Sequence, residues 1–142
     1  MPTVSRTAAA LRITGETLDP EEVSVIMGIR PSLSYRKGEV IRNPKTGRER
    51  IPKFGMWNLR TEDRFPGDLD GQIDELLGKV PDDLSIWKDL NERFSLDLFT
   101  GLFLEEFNEG ISLKPSTLLA LGLRGIELDL DIYSGENVDD GD

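Results

Sequence analysis

From residue 126 to 133, apolar and polar side chains alternate without interruption. Ile126, Leu128, Leu130 and Ile132 fall on one side, and Glu127, Asp129, Asp131 and Tyr133 on the other. A period of two predicts a half-buried strand. A shorter alternation predicts a strand at 10–14, with Leu11 and Ile13 opposite Arg12 and Thr14. Another follows at 94–98, where Phe94, Leu96 and Leu98 alternate with Ser95 and Asp97. Gly101 reads as a bulge or turn before the apolar stretch at 102–107, and a short segment at 111–113 comes next. The stretch 33–60 reads as a β-hairpin with arms at 34–42 and 50–59. Its connection, Asn43-Pro44-Lys45-Thr46-Gly47, is rich in turn formers.

Helical spacing is clearest at 68–80, where Leu69, Ile73, Leu76, Leu77 and Val80 form one stripe and Pro81 follows. Asp82 or Asp83 can cap a second helix through Leu84, Trp87 and Leu90. Earlier, Asp19 suits an N-cap, Pro20 the first helical position, and Glu22 completes a capping-box-like pair. Val23, Ile26 and Met27 give that helix its apolar side, and Gly28 its left-handed exit. Pro115 opens a last helix with Leu118, Leu119 and Leu121, and Gly122 closes it.

Leu18-x-Pro20-x-x-Val23 before Gly28-Ile29-Arg30 parallels Leu113-x-Pro115-x-x-Leu118 before Gly122-Leu123-Arg124. Either a βα unit is duplicated or helix punctuation recurs by coincidence. The elements predict a two-layer α+β fold, a mostly antiparallel sheet with helices packed on one face and room for duplicated βα-containing halves. Residues 1–133 are expected to form a single domain, and 134–142, with four acidic residues and two glycines, a disordered acidic tail.

Of 142 residues, 37% are hydrophobic and 31% charged, a globular composition. There is no His and no Cys. That removes disulfides, thiolate metal sites, Cys or His nucleophiles and imidazole bases. No apolar run approaches the roughly 20 residues of a membrane helix, and Arg12 and Thr14 interrupt the N-terminal apolar stretch. The expectation is a cytoplasmic protein with no membrane partner. The net charge of −10 is unevenly spread. Residues 1–29 sum to −2, residues 30–64 to +6 and residues 65–142 to −14. The chain as a whole repels nucleic acid, and only the middle segment attracts it.

Several segments, in this order, resemble a bacterial family called domain of unknown function 4279. They are Leu11-Arg12-Ile13-Thr14-Gly15, Leu18-Asp19-Pro20-Glu21-Glu22, Met27-Gly28-Ile29-Arg30-Pro31, Lys37-Gly38-Glu39, Gly55-Met56-Trp57 and the run from Leu121 to Tyr133. The likeness covers nearly all of residues 8–133. It implies a small, mostly stand-alone bacterial protein with no established activity. Such small domains are loosely associated with immunity proteins encoded beside toxins.

Four constellations carry candidate chemistry. Glu127, Asp129 and Asp131 project from one face of a strand about 6.6–6.8 Å apart. They could offer oxygen ligands to a divalent cation, or form a solvated face offset by a basic neighbour such as Arg12. The basic hairpin carries Arg30, Arg36, Lys37, Arg42, Lys45, Arg48, Arg50 and Lys53 interleaved with Tyr35, Phe54 and Trp57. Such a set could hold single-stranded nucleic acid, an anion or an acidic protein, or be a solvated hairpin with Trp57 in the core. The acidic C-terminal half could steer a basic partner or serve solubility. A catalytic site would fall to Asp, Glu, Lys or Tyr, yet no glycine-rich phosphate loop or dinucleotide fingerprint occurs.

The leading expectation is therefore a non-enzymatic binding module without a cofactor, an immunity-type or regulatory protein that masks a partner protein. One candidate contact face is Glu127, Asp129 and Asp131. The other is Arg36, Lys37 and Trp57, with Arg30 and Tyr35 nearby in the chain. The alternatives are a small-ligand, anion or nucleic-acid binder using residues 30–64, and a carboxylate–metal hydrolase.

Overall fold

The computed structural model describes residues 2–134. In chain order they form β1 (Arg6–Gly15), α1 (Pro20–Met27), β2 (Leu33–Tyr35), β3 (Ile41–Arg42), β4 (Glu49–Arg50), β5 (Gly55–Arg60), α2 (Leu69–Gly78), α3 (Leu84–Arg93), β6 (Ser95–Phe103), α4 (Pro115–Leu123) and β7 (Glu127–Tyr133). Five strands make one sheet in the order β2-β5-β1-β6-β7, and β3 and β4 pair as a separate ribbon. The pairings β2–β5, β5–β1 and β1–β6 are antiparallel, and β6–β7 is parallel. The expected α+β architecture with a mostly antiparallel sheet is the one observed.

Period-two patterning decides which face is covered. Leu11, Ile13, Trp57, Leu96 and Leu98 point into one continuous cluster with Val23, Met27, Leu69, Ile73, Leu76, Trp87, Leu90 and Leu121. The helices lie over this face, α2 on β1, α1 on β5, α3 on β6 and α4 against β7. Each large apolar side chain taken fully out of water contributes about 1.5–3 kcal/mol before chain ordering is counted. Among the described residues five polar side chains are buried as well, Thr7, Thr61, Gln72, Thr100 and Thr117, and Gln72 is the largest of them. Gln72 is fully buried on α2 and accepts from the Thr7 hydroxyl at 2.6 Å. Its amide donates to the Thr7 carbonyl, the Thr61 hydroxyl and the Glu62 carbonyl. It locks α2 to the start of β1 and to the chain leaving β5.

The N-caps expected at Asp19 and at Asp82 or Asp83 form at Asp19 and Asp83, and Asp68 caps α2 in the same way. The side chains of Asp19, Asp68 and Asp83 accept from backbone amides of the first turns of α1, α2 and α3, and Gly28 ends α1 at φ 72°. Four expectations are corrected. Glu22 does not close a capping box; its carboxylate takes Arg93 at 2.7 Å. The hairpin is broken, because β2 pairs with β5 and the arms pair again only at β3–β4. Gly101 is no bulge, since β6 runs through it in unbroken register with β1 and β7. Gly122 does not end α4; the helix continues to Leu123, and Gly125 at φ 66° makes the left-handed exit.

The last correction bears on the repeat. Val23 is buried while its counterpart Leu118 is 52% exposed, and Gly28 and Gly122 differ in backbone conformation. The residue-level parallel therefore fails. What remains is topological. β1-α1-β2 and β6-α4-β7 are each strand–helix–strand units with parallel strands, on either side of the β1–β6 pair, and β5 is inserted into the first. The acidic tail expected at 134–142 lies, beyond Ser134, outside the described residues. Among the described residues no helix is long and apolar enough to cross a membrane.

Candidate functional site: the uncovered face of the sheet

The register aligns side chains in rows across the face that the helices leave bare. Asn58, Arg12, Asp97 and Glu127 form one row, Arg60, Ala10, Phe99 and Asp129 the next, then Ala8, Gly101 and Asp131, and finally Arg6, Phe103 and Tyr133. Small residues at the centre hollow this face into a trough of about 370 Å³. Ala8, Ala10 and Gly101 form its floor, Leu33, Asn58 and Arg60 one wall, and Phe99, Phe103 and Tyr133 the other.

Gly101 is required by close approach. A Cβ there would come within 2.8 Å of the Phe103 ring, which lies back along β6 over the bare glycine. In that position Phe103 stacks on Tyr133, with centroids 4.6 Å apart and planes 2° from parallel. Arg6 sits 3.6 Å above the Phe103 centroid and reaches Asp63 at 3.6 Å. The aromatic wall is thus built from β6 and β7 together and held from β1.

Beside the trough, Arg12 grips Asp97 with two hydrogen bonds, from Nε at 2.9 Å and from a terminal nitrogen at 2.6 Å. The same nitrogen lies 3.7 Å from Asp129, and the guanidinium covers the Phe99 ring at 4.3 Å. Burial alone would push the Asp97 carboxyl up. The bonds from Arg12, the hydrogen bond with Asp129 and the attraction of Arg12 outweigh it, so Asp97 titrates below its ordinary value. Asp129 moves the opposite way. Its hydrogen bond with Asp97 raises it first, then desolvation and repulsion from Asp97 and Glu127, against the pull of Arg12. Two carboxyls share one guanidinium, and the second is held less firmly as an anion.

The three carboxylates read from the sequence therefore lie on one face but in different settings. Asp129 leans on Arg12, Asp131 accepts from the Tyr133 hydroxyl at 2.6 Å, and Glu127 makes no ion pair among the described residues. Among those residues no three carboxylates are arranged to hold a metal ion. Arg12 does offset the ladder, reaching across the intervening β6.

The basic set is dispersed. Trp57 is fully buried on the helix side, its indole nitrogen donating to Ser24 at 3.0 Å, so neither ring face can take a ligand. Arg36 pairs with Asp19 at 2.8 Å and Glu21 at 3.6 Å, and Lys37 pairs with Glu16 at 2.9 Å. Their charge is largely answered within the fold. Tyr35 is buried on the uncovered side beneath Arg50, whose guanidinium lies 4.9 Å from its ring. Arg30 is exposed, away from the others' ion pairs. Among the described residues, only Arg64 of the basic segment reaches the acidic C-terminal half, at Asp68 and Glu75.

Sequence reading missed Asp97, Phe99, Phe103, Asn58 and Arg60 as members of this face. The signal was present in part. Alternation carried through Gly101 aligns Asp97, Phe99 and Phe103, whereas reading the glycine as a break discards Phe103.

A family model described as Domain of unknown function (DUF4279) matches residues 5–135. The chain belongs to this family. Its matched segment takes in every element from β1 to β7, so the family's unit is the whole sheet with its helical cover. No curated protein and no solved structure matches the chain.

Proposed function

We propose that this DUF4279 protein is a non-enzymatic binding module of the cytoplasm. It holds a partner protein against the β6–β7 half of the uncovered sheet face, in the manner of an immunity-type or regulatory protein that masks its target. The observation that carries this reading is the union, on one bare face, of an aromatic-walled trough with a carboxylate row that, among the described residues, cations answer only at Asp129. Aromatic anchors give a complex its lifetime, and unscreened like charges steer a partner of opposite sign. The partner that fits presents basic and apolar side chains together. Affinity selection of random short peptides tests this. Enriched sequences should carry net positive charge, and their binding should weaken with salt and with Asp131→Asn or Phe103→Ala. Enrichment of acidic sequences, or indifference to both substitutions, contradicts it.

One observation favours a second reading. A cavity of about 300 Å³ between the ribbon and the sheet is lined by Arg50, Lys53, Tyr35 and Phe54, and neither cation makes an ion pair among the described residues. It suits an anion. If single-stranded RNA is the ligand, the doubly reversed Arg50→Glu, Lys53→Glu variant loses binding; unchanged affinity dismisses this reading.

A further inference from the structure

β7 is the last strand of the sheet, and among the described residues no strand pairs with its outer edge. It is seven residues long, Glu127–Tyr133, ample for a partner strand to register on. Edge strands of this length are ordinarily covered or blunted, because their unpaired N–H and C=O groups template further pairing. Here the two sides differ. Towards the helices, α4 covers β7 incompletely and leaves Leu130 50% and Ile132 60% exposed. Towards the uncovered face stand Glu127, Asp129 and Asp131.

These features select an occupant. A second copy of the chain is disfavoured, because pairing β7 with β7 while keeping the helices on one side sets carboxylate against carboxylate along the ladder. The residues that turn away a copy of the protein admit a strand of opposite charge. We propose that an extended segment of the partner protein adds to the outer edge of β7 as a sixth strand, alternating basic with apolar residues. Its cations lie beside Glu127, Asp129 and Asp131, and its apolar side chains cover Leu130 and Ile132. Main-chain hydrogen bonds supply affinity and the alternation supplies specificity, the logic of strand addition. This rests on the reading of the acidic face as a partner-protein surface and specifies how the partner lies on it.

The test uses the full chain, isotopically labelled, and a synthetic peptide of alternating lysine and valine as long as β7. Its controls are a block isomer with all lysines before all valines and two forms N-methylated along opposite edges. Strand addition predicts that the alternating peptide binds at least about tenfold tighter than the block isomer. Methylation along one edge should abolish binding while methylation along the other leaves it, and the backbone amides of β7 should gain protection from hydrogen exchange. Ile132→Lys, at an exposed position that packing does not need, should weaken binding without altering cooperative unfolding. Equal binding of both isomers, insensitive to methylation but lowered by Asp131→Asn, overturns strand addition and leaves the acidic-face reading standing. No binding of either peptide at low salt overturns both.

Discussion

Arg12 is the residue on which the uncovered face turns, since it holds Asp97, steadies Asp129 and covers Phe99. Replacing it with Leu leaves Asp97, only 17% exposed, without its counter-charge. The partial exposure of the pair keeps the expected loss near about 2 kcal/mol, short of that for a fully buried pair, read from urea unfolding. The two carboxyls respond to pH with opposite signs. Asp97 titrates low when folded, so its contribution is present above the ordinary carboxylate range and is lost as pH falls through its folded value. Asp129 titrates high when folded, so its ionised form opposes folding at neutral pH and acidification relieves it. Asp129→Asn should therefore match or exceed the wild type in stability at neutral pH. The difference should close as pH falls below the carboxylate range, whereas Asp97→Asn should be destabilising at neutral pH. Gln72 is the other decisive side chain. Gln72→Leu leaves the Thr7 and Glu62 carbonyls without the amide and should cost about 2–3 kcal/mol in the same assay. Its placement was legible in retrospect. Gln72 stands three residues after Leu69 and four before Leu76, on the buried stripe of α2.

At the scale of elements, most signals written in neighbouring residues were legible, the capping box at Glu22 and the break at Gly101 being the exceptions, and those that depend on distant chain were not. Asp19-Pro20, Asp68 and Asp83 fix helix starts through hydrogen bonds one turn long, and the alternation of β7 needs only its own residues. The end of α4 was misread because Gly122 and Gly125 look alike in sequence. The choice between them is made by Asn91 on α3, whose side chain donates to the Arg124 carbonyl at 2.7 Å and packs against Gly125. The two glycines should consequently behave differently. Gly122→Ala meets nothing within 4 Å and sits in helix, so it should stabilise by about 0.5–1 kcal/mol. Gly125→Ala collides with the Asn91 side chain with φ at 66°, so it should destabilise by at least about 1 kcal/mol. Thermal unfolding of the two variants decides the matter. The break in the hairpin had no comparable local sign, because the pairing of β2 with β5 is set by Trp57 entering the core opposite Ser34.

Across the whole molecule, the sheet order converts the charge segregation of the sequence into a spatial polarity. The basic segment supplies β2 and β5 at one side, and the acidic C-terminal half supplies β6 and β7 at the other. The segregation was plain from the sequence, but whether the halves cancel was not, since that depends on which strands are neighbours. They do not meet at β7. The hairpin cations that make ion pairs mainly take Glu16, Asp19, Glu21 and Glu49, leaving the β7 row to Arg12. The candidate site was correspondingly half legible. Glu127, Asp129 and Asp131 could be read from one strand, whereas the trough beside them requires Ala8, Asn58, Gly101 and Phe103 from three strands in register. The most direct measurement is a chemical-shift titration of the labelled protein with a short cationic, apolar-bearing peptide at low salt. Perturbations should cluster on β6 and β7 and vanish in the Glu127→Gln, Asp131→Asn double variant. Perturbations confined to the helices or the ribbon, or persisting in that variant, would contradict a partner surface on the bare acidic half of the sheet.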